Sequence, residues 1–233
     1  MNRHLFAVLV LLLIASFSSQ SNDSIGTNGV QIDYGSSNPV CRSVANTIYG
    51  ISVEGFRGGA WRKEFGEIDW HRDSFPTITA EGWPGKVWFE YSSLDIDNNR
   101  ADEIVVMETV FFTSIDWDRL WVFTREEFAR AQKENSFRKL LSTFPTLNPQ
   151  NVVSFSNGKT AVPVEIHIWK HKKKNYLLMK EHFFAGEEQI QEGRVLPNAF
   201  YVGVLDGQMF SKYDPVLKAN RLIPKMLCRF VWQ

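Results

Sequence analysis

Most apolar residues of this chain fall in short segments that are rich in aromatic and β-branched side chains and are separated by turn-forming residues. Segments of about four to eight such residues are typical of β-strands, whereas helices show longer runs with apolar positions three or four residues apart. The pattern therefore predicts a mainly β fold of the α+β class, an antiparallel sheet built from hairpins with one substantial helix packed on it. We predict strands at residues 87–91, 104–113, 120–123, 164–169, 176–179, 200–205 and 225–232.

Three connections between these segments carry turn signals. Residues Asp116–Asp118 precede the third segment and predict a turn. The apolar and polar residues of 164–169 alternate and lead through the lysine-rich stretch 170–175 into a return strand, which predicts a hairpin. Its tip is either a solvated turn or an anion-binding patch. Asp206-Gly207 is a typical tight-turn pair and predicts a third hairpin that returns at Met209-Phe210.

The one clear helix is indicated after the third segment. Thr124 and Glu127 have the spacing of a capping box, in which each side chain bonds the backbone N–H of the other residue. Pro145 and Pro149 mark the end of the helical pattern. The apolar stripe of this helix is expected to pack against the sheet and consists of Phe128, Ala131, Phe137, Leu140 and Leu141.

The N-terminal residues predict an exported protein. Arg3 and His4 precede an unbroken apolar run at 5–15, and small polar residues follow, which is the pattern of a secretory signal peptide. We expect residues 1–18 to be this signal peptide, with cleavage after residue 18 or 21. The apolar run is shorter than the roughly 20 residues that span a bilayer, so no integral membrane segment is expected after the signal is removed. The expected location is secreted or periplasmic.

The rest of the chain is expected to be a flexible leader and one globular domain. Residues 19–39 are rich in Ser, Asn, Gly and Asp and predict the leader, and residues 40–233 predict the domain. Cys41 and Cys228 lie near the two ends of that domain. In an exported chain an even cysteine count favours a disulfide, which would stabilise the fold by roughly 5 kcal/mol at most. The alternative is two buried free thiols.

The charge balance bears on the class of partner. The chain carries 26 basic and 26 acidic residues. A nucleic-acid partner calls for a basic face, which this balance does not favour. Four tryptophans at 61, 70, 83 and 88 suit stacking on sugar rings or a protein interface, although packing in the core explains them as well.

The strongest candidate for a ligand site is the acidic stretch 95–103, which leads directly into a predicted strand. Side chains that carry oxygen recur at its alternate positions, and hard cations such as Ca²⁺ bind six to eight oxygen atoms. The alternative is a turn in which these side chains bond neighbouring backbone N–H groups. The predicted Ca²⁺ ligands are the side chains of Asp95, Asp97, Asn99 and Glu103 and the backbone carbonyl of Ala101.

Residues 95–106, read as D-I-D-N-N-R-A-D-E-I-V-V, resemble the D-x-D/N-x-D/N-G-x-x-D/E loop and the following strand of FG-GAP and VCBS-type repeats. This resemblance implies a loop between two strands that holds Ca²⁺ through the ligands given above. The motif occurs once in the chain, whereas a propeller needs several blades, so the resemblance does not imply a propeller. The chain departs from the pattern at Arg100, where the family has a glycine because the turn needs a positive φ.

A second polar stretch suggests a different function. Carboxylates beside a histidine suit acid–base catalysis, although a polar surface loop explains them equally well. No spacing motif of a known hydrolase, such as G-x-S-x-G or H-E-x-x-H, appears in the sequence. The residues of this stretch are Glu64, Glu67, Asp69, His71 and Asp73.

Together these features favour a non-enzymatic exported domain that binds a protein or a surface glycan and is stabilised by Ca²⁺. One alternative is an inhibitor or immunity protein that neutralises a secreted enzyme. The other alternative is a secreted hydrolase that uses His71 and the acidic residues around it.

Overall fold

A computed structural model gives the fold for residues 29–52, 55–56, 59–71, 86–112, 115–133, 153, 164–181, 199–206, 212–214 and 219–232. In chain order its strands and helices are β1 (Val30–Tyr34), α1 (Pro39–Ile48), a 3-10 helix (Ala60–Phe65), β2 (Lys86–Leu94), β3 (Glu103–Phe112), β4 (Ile115–Phe123), α2 (Arg125–Lys133), β5 (Val164–His171), β6 (Lys174–Glu181), β7 (Phe200–Val204), β8 (Lys212–Asp214), β9 (Ala219–Arg221) and β10 (Lys225–Trp232).

The strands form a five-stranded sheet in the order β1-β10-β7-β6-β5, a three-stranded sheet in the order β2-β3-β4, and the small pair β8-β9. Every neighbouring pair is antiparallel. The prediction of a mainly β, antiparallel fold is therefore confirmed. The single substantial helix is not, because α1 and α2 are of similar length.

Both faces of the five-stranded sheet are buried. Leu178 and Phe200 point to one face, into a core that contains α1 and the 3-10 helix. Leu177 and Met179 point to the other face, into a core shared with the three-stranded sheet. A strand that is covered on both faces needs apolar residues at consecutive positions, which explains the continuous apolar run of β7.

Helix α1 begins with a capped first turn. The Asn38 side chain accepts a hydrogen bond from the Val40 N–H at 2.9 Å, and Pro39 occupies the first helical position. Cys41 of this helix forms a disulfide with Cys228 of β10, with a Cα–Cα distance of 5.9 Å. The predicted disulfide is present. It joins α1 to β10 within the core that contains α1 and the 3-10 helix.

The folded domain begins earlier than the predicted boundary at residue 40. Val30 pairs with Trp232, so β1 forms an edge of the large sheet. Gly35 follows with φ of 86°, and a Cβ there would collide with the carbonyl oxygen of Leu227. Residues 30–39, expected to belong to a flexible leader, are thus built into the sheet and the start of α1. The predicted signal peptide at 1–18 lies outside the described residues.

Helix α2 has the predicted capping box. The Thr124 N–H donates to Glu127 Oε2 at 2.9 Å, and the Glu127 N–H donates to Thr124 Oγ1 at 3.2 Å. Phe128 is buried beside Tyr91 and Phe123, with ring centroids 5.6 and 6.4 Å away. The part of the predicted helix beyond residue 133 lies outside the described residues.

Two local predictions were wrong. Residues 116–118 lie within β4 and do not form a turn, because the Asp118 carboxylate is an internal hydrogen-bond acceptor. Strand β7 pairs with β6 and β10, so it does not form a hairpin with the residues that follow Asp206. The strands predicted around 87–91, 104–113, 164–169, 176–179 and 225–232 are confirmed.

Within the described ranges, none of the helices has the length and apolar character required to cross a membrane.

Candidate functional site

The acidic loop connects β2 to β3 and folds back on its own carboxylates. Asp97 Oδ1 accepts from the Asn99 N–H at 3.1 Å, and Asp95 Oδ2 accepts from the Arg100 N–H at 3.0 Å. Glu103 Oε2 accepts from the Ile96 N–H at 3.1 Å, which closes the loop across its base. The loop therefore contains the side-chain-to-backbone bonds expected of an Asx-rich turn.

The same folding brings three carboxylates to one point. Asp95, Asp97 and Glu103 each place an oxygen within 4.8 Å of the others. Asp97 is 1% exposed and Glu103 is 6% exposed, so two of the three are withdrawn from water. Asp95 Oδ1 is buried without a hydrogen-bond partner among the described residues. A cation or a proton at this point would compensate charge that the surrounding protein does not.

Burial and mutual repulsion act on the protonation of these groups. Burial and the neighbouring charge of Asp97 together raise the pKa of Glu103 to about 7, although the bond from the Ile96 N–H opposes the rise. Burial likewise raises the pKa of Asp97, while bonds from the Asn99 backbone oppose the rise. The three carboxylates are therefore costly to ionise together unless a positive charge joins them.

The predicted ligand Asn99 bonds within the loop, to the backbone of Ala101 and to the side chain of Asp97. Asn99 Oδ1 accepts from the Ala101 N–H at 2.7 Å, and Asn99 Nδ2 donates to Asp97 Oδ2 at 3.0 Å. Asn99 and Ala101 are both exposed. Asn99 thus supports Asp97, and the three predicted ligands that carry carboxylates are brought together.

The position that the family fills with glycine adopts the expected backbone. Arg100 has φ of 76°, and Asn98 has φ of 61°. Asn tolerates this left-handed region, whereas Arg there costs about 1 kcal/mol. The loop thus keeps the sharp turn without the glycine, and it carries a basic side chain at its exposed tip.

The loop is fixed to the β5–β6 hairpin by two asparagines that the sequence analysis did not single out. Asn98 Oδ1 accepts from the Asn175 N–H at 2.7 Å, and Asn98 Nδ2 donates to the Asn175 carbonyl at 3.1 Å. Asn175 Nδ2 donates to the Asp95 carbonyl at 2.7 Å. We call these three bonds the asparagine clamp. It joins segments almost 80 residues apart, so no local pattern could have indicated it.

The second candidate stretch, in which Asp73 lies outside the described residues, does not bring Glu67, Asp69 and His71 together. Glu67, Asp69 and His71 are exposed at alternate positions, while Ile68 and Trp70 pack towards the second core. Alternate side chains of an extended segment are about 7 Å apart on one face. The arrangement is that of a solvent-facing segment, and it gives no support to acid–base catalysis there.

A buried charged network, also not singled out from the sequence, lies between the two sheets and the 3-10 helix. Arg62 forms ion pairs with Asp118 at 2.6 Å and with Glu165 at 3.4 Å. Lys180 forms a further ion pair with Glu165, and its ammonium group donates to the Phe56 carbonyl at 2.7 Å. These charges lie on separate elements, so only the tertiary fold brings them together.

Asp118 is the most deeply placed member of this network. Its carboxylate accepts from the Thr109 hydroxyl at 2.8 Å and from the Ile166 N–H at 2.8 Å, besides its ion pair with Arg62. Burial raises the pKa of Asp118, and the Arg62 guanidinium opposes the rise. Since its oxygens are occupied by internal donors, Asp118 is suited to holding β4 against β5 and not to reacting with a ligand.

His167 lies beside this network on β5. Its ring is 5.9 Å from Trp61, and its Nε2 is buried without a hydrogen-bond partner among the described residues. Burial and the nearby Arg62 charge together lower the pKa of His167 to about 4. The imidazole is therefore neutral at physiological pH and acts as a core side chain.

The tryptophans divide between core and boundary. Trp61 is fully buried and donates a hydrogen bond to Glu165 Oε2 at 3.1 Å. It therefore agrees with the interpretation that the tryptophans pack in the core. Trp70 is half-buried against the second core. Trp83 and the side chain of Trp88 lie outside what the structure describes.

Comparison of this chain with protein-family models, with curated proteins and with solved structures gave no match. The resemblance of residues 95–106 to FG-GAP and VCBS-type loops stays a prediction, and the geometry of the loop carries the argument that follows.

Proposed function

We propose that this protein is an exported, non-enzymatic binding domain whose 95–103 loop takes up Ca²⁺. The observation that carries the proposal is the convergence of three carboxylates, from Asp95, Asp97 and Glu103, within 4.8 Å of one another. Two of them are buried, and a buried oxygen of the third lacks a donor among the described residues. Such a group is stabilised by a divalent cation more than by any arrangement of neutral donors.

The chemistry of the donors favours Ca²⁺ over softer or smaller metals. All three are carboxylate oxygens, which are hard ligands, and the described group includes no sulfur or imidazole nitrogen. Ca²⁺ accepts irregular geometry and completes its shell with backbone carbonyls and water, whereas Mg²⁺ demands a near-ideal octahedron. An irregular loop with three acids therefore suits Ca²⁺ best.

The proposed role of the ion is to hold the loop in the shape that engages the asparagine clamp. Asn98 lies between two of the proposed ligands, Asp95 and Glu103, so a fixed loop keeps its side chain directed at Asn175. The clamp in turn fixes the end of the β5–β6 hairpin. Ca²⁺ would thus stiffen one end of the domain for contact with a partner, a protein or a surface glycan.

Export is supported by two features. Residues 1–18 have the pattern of a secretory signal peptide, and the Cys41–Cys228 disulfide suits an oxidising compartment. An inhibitor or immunity protein is one specific form of this binding role.

Thermal unfolding with Ca²⁺ and with a chelator tests the proposal. A single site filled at a hundred times its dissociation constant stabilises the fold by about 2.7 kcal/mol, which corresponds to a rise in Tm of roughly 5–10 °C. Asp97→Asn and Glu103→Gln should abolish the Ca²⁺-dependent rise. The matched control is Asp102→Asn, which removes an exposed carboxylate of the same loop that lies outside the converging group.

The rise must persist in the Asp102→Asn control. An identical Tm in Ca²⁺ and chelator for the unaltered protein would end the proposal. An equal Ca²⁺-dependent rise in Tm for the Asp97→Asn variant would show that the ion does not bind at this loop.

A further inference from the structure

The tip of the β5–β6 hairpin has an unusual backbone for the residues that form it. His171 pairs with Lys174, so the turn consists of Lys172 and Lys173, with φ of 48° and 66°. A two-residue hairpin turn with positive φ at both positions strongly favours Asn-Gly. Two residues with long side chains there cost about 1 kcal/mol each. The hairpin thus retains two lysines where other residues would fold better, and such strain points to a function of the side chains.

The charges at this tip are exposed and largely uncompensated. Lys170, Lys172, Lys173 and Lys174 are all exposed. Among the residues that the structure describes, the one ion pair of these four joins Lys174 to Asp206 at 3.9 Å, where both side chains are half-exposed. The remaining three ammonium groups face solvent and are available to an external anion.

The tip is held rigidly on its domain. The asparagine clamp fixes Asn175, the second residue of β6, to the acidic loop. The same clamp holds Asn98 of the acidic loop against Asn175, and Arg100, two residues beyond Asn98, adds a fifth exposed basic side chain. We call these residues the basic rim: Arg100, Lys170, Lys172, Lys173 and Lys174. A preorganised set of charges binds an anion without the entropy loss of ordering a flexible segment.

We propose that the basic rim binds a hydrated polyanion, an acidic polysaccharide that carries carboxylate or sulfate groups. Protein interfaces are built around an apolar or aromatic centre, and stable anchoring on a bilayer adds apolar side chains that insert to the attraction of a polybasic patch. The exposed large apolar residues of the described chain are Tyr34 and Ile223, and neither belongs to the rim. Point charges on flexible stems suit a polymer of repeated, well-hydrated anions, which needs no apolar contact.

The test is retention of the full chain on two immobilised polyanions, heparin for sulfate and polygalacturonate for carboxylate, with neutral dextran as the blank. The variant Lys172→Asn with Lys173→Gly removes two rim charges and supplies the preferred turn residues. Its Tm should therefore rise while its affinity at low salt falls roughly tenfold or more. The charge-matched control is Lys63→Gln with Arg130→Gln, which removes two exposed basic groups elsewhere.

Support requires retention on at least one polyanion and loss of that retention with added salt. The decrease in affinity must also be confined to the variant Lys172→Asn with Lys173→Gly. Equal weakening in the charge-matched control overturns the proposal, since only net charge would then matter. Retention that equals the dextran blank overturns it as well, and so does binding to phosphatidylglycerol vesicles alone. Each measurement is made in Ca²⁺ and in chelator, so failure of the proposed cation site does not obscure the result.

Discussion

Lys180 and Glu165 face each other directly across β6 and β5 as a buried, cross-strand ion pair. Arg62 reaches the same carboxylate from the 3-10 helix, and Trp61 donates a hydrogen bond to it. Glu165 thus links the large sheet to the 3-10 helix that packs on one of its faces. Buried pairs of this kind are sensitive to loss of one partner, because the other charge is left without compensation.

We predict that Lys180→Met destabilises the fold by about 3–5 kcal/mol, since the buried Glu165 carboxylate then loses the cation that faces it across the strands. The double variant Lys180→Met with Glu165→Gln should be less destabilised than the single variant, because no unpaired carboxylate remains. Urea unfolding measures both free energies. The matched control is Lys170→Met on the exposed end of β5, which should change the free energy by about 0.5 kcal/mol or less. Equal effects at the two lysines would contradict the prediction.

The pH dependence of stability in chelator should reveal the acidic loop. Folded Glu103 has its pKa raised to about 7 from 4.5, so between these values the native state holds a proton that the unfolded chain has released. Its contribution to stability is therefore full below pH 4.5 and declines as pH rises towards 7. Relative to Glu103→Gln, the unaltered protein should lose roughly 1–3 kcal/mol of unfolding free energy across this range.

The comparison with Glu103→Gln is needed because His167 acts in the opposite direction. Its pKa is lowered to about 4, so its contribution grows as pH rises from 4 towards 6.5. Both proteins carry His167, and the difference between their urea unfolding curves removes it. Asp102→Asn should leave the decline in place. A difference that stays flat with pH would show that Glu103 titrates normally.

The asparagine clamp predicts an order of stability among variants of Asn98. Asn98→Ala loses two hydrogen bonds and puts at φ of 61° a residue that tolerates the left-handed region less well than asparagine, and should destabilise the fold by about 1–3 kcal/mol. Asn98→Gly loses the same bonds without the backbone strain and should recover about 1 kcal/mol of that loss. Urea unfolding gives the order of the two. Hydrogen exchange at the Asn175 amide should be faster in both variants, and unchanged protection there would mean that the clamp does not form.

Local patterns predicted the elements whose signals lie within a few residues. The limits of β10 and the capping box of α2 depend on neighbouring residues alone, and both agree with the structure. Asp118 misled the prediction because two aspartates one residue apart, Asp116 and Asp118, resemble a turn. Its real partners, Arg62 and Ile166, lie 56 and 48 residues away.

The candidate site was predicted in part for the same reason. Asp95, Asp97 and Glu103 converge through a short loop, and their spacing was enough to suggest it. Asn175 completes the support of that loop from another strand, where its residue type gives no signal. Helix α1 was not predicted, because four of its ten side chains are β-branched and are therefore more typical of strands.

The bond from the Ile166 N–H to Asp118 bears on self-association. Strand β5 is the last strand of its sheet, and outer strands with free donors are where one molecule can add to the next and grow into fibrils. Here the Asp118 carboxylate accepts the hydrogen bond of the Ile166 N–H, which an added strand would otherwise use. The opposite margin ends in β1, where Tyr34 is 61% exposed. Of the two edges of the large sheet that the structure describes, the β1 edge should therefore be the more prone to polymerise under mildly denaturing conditions.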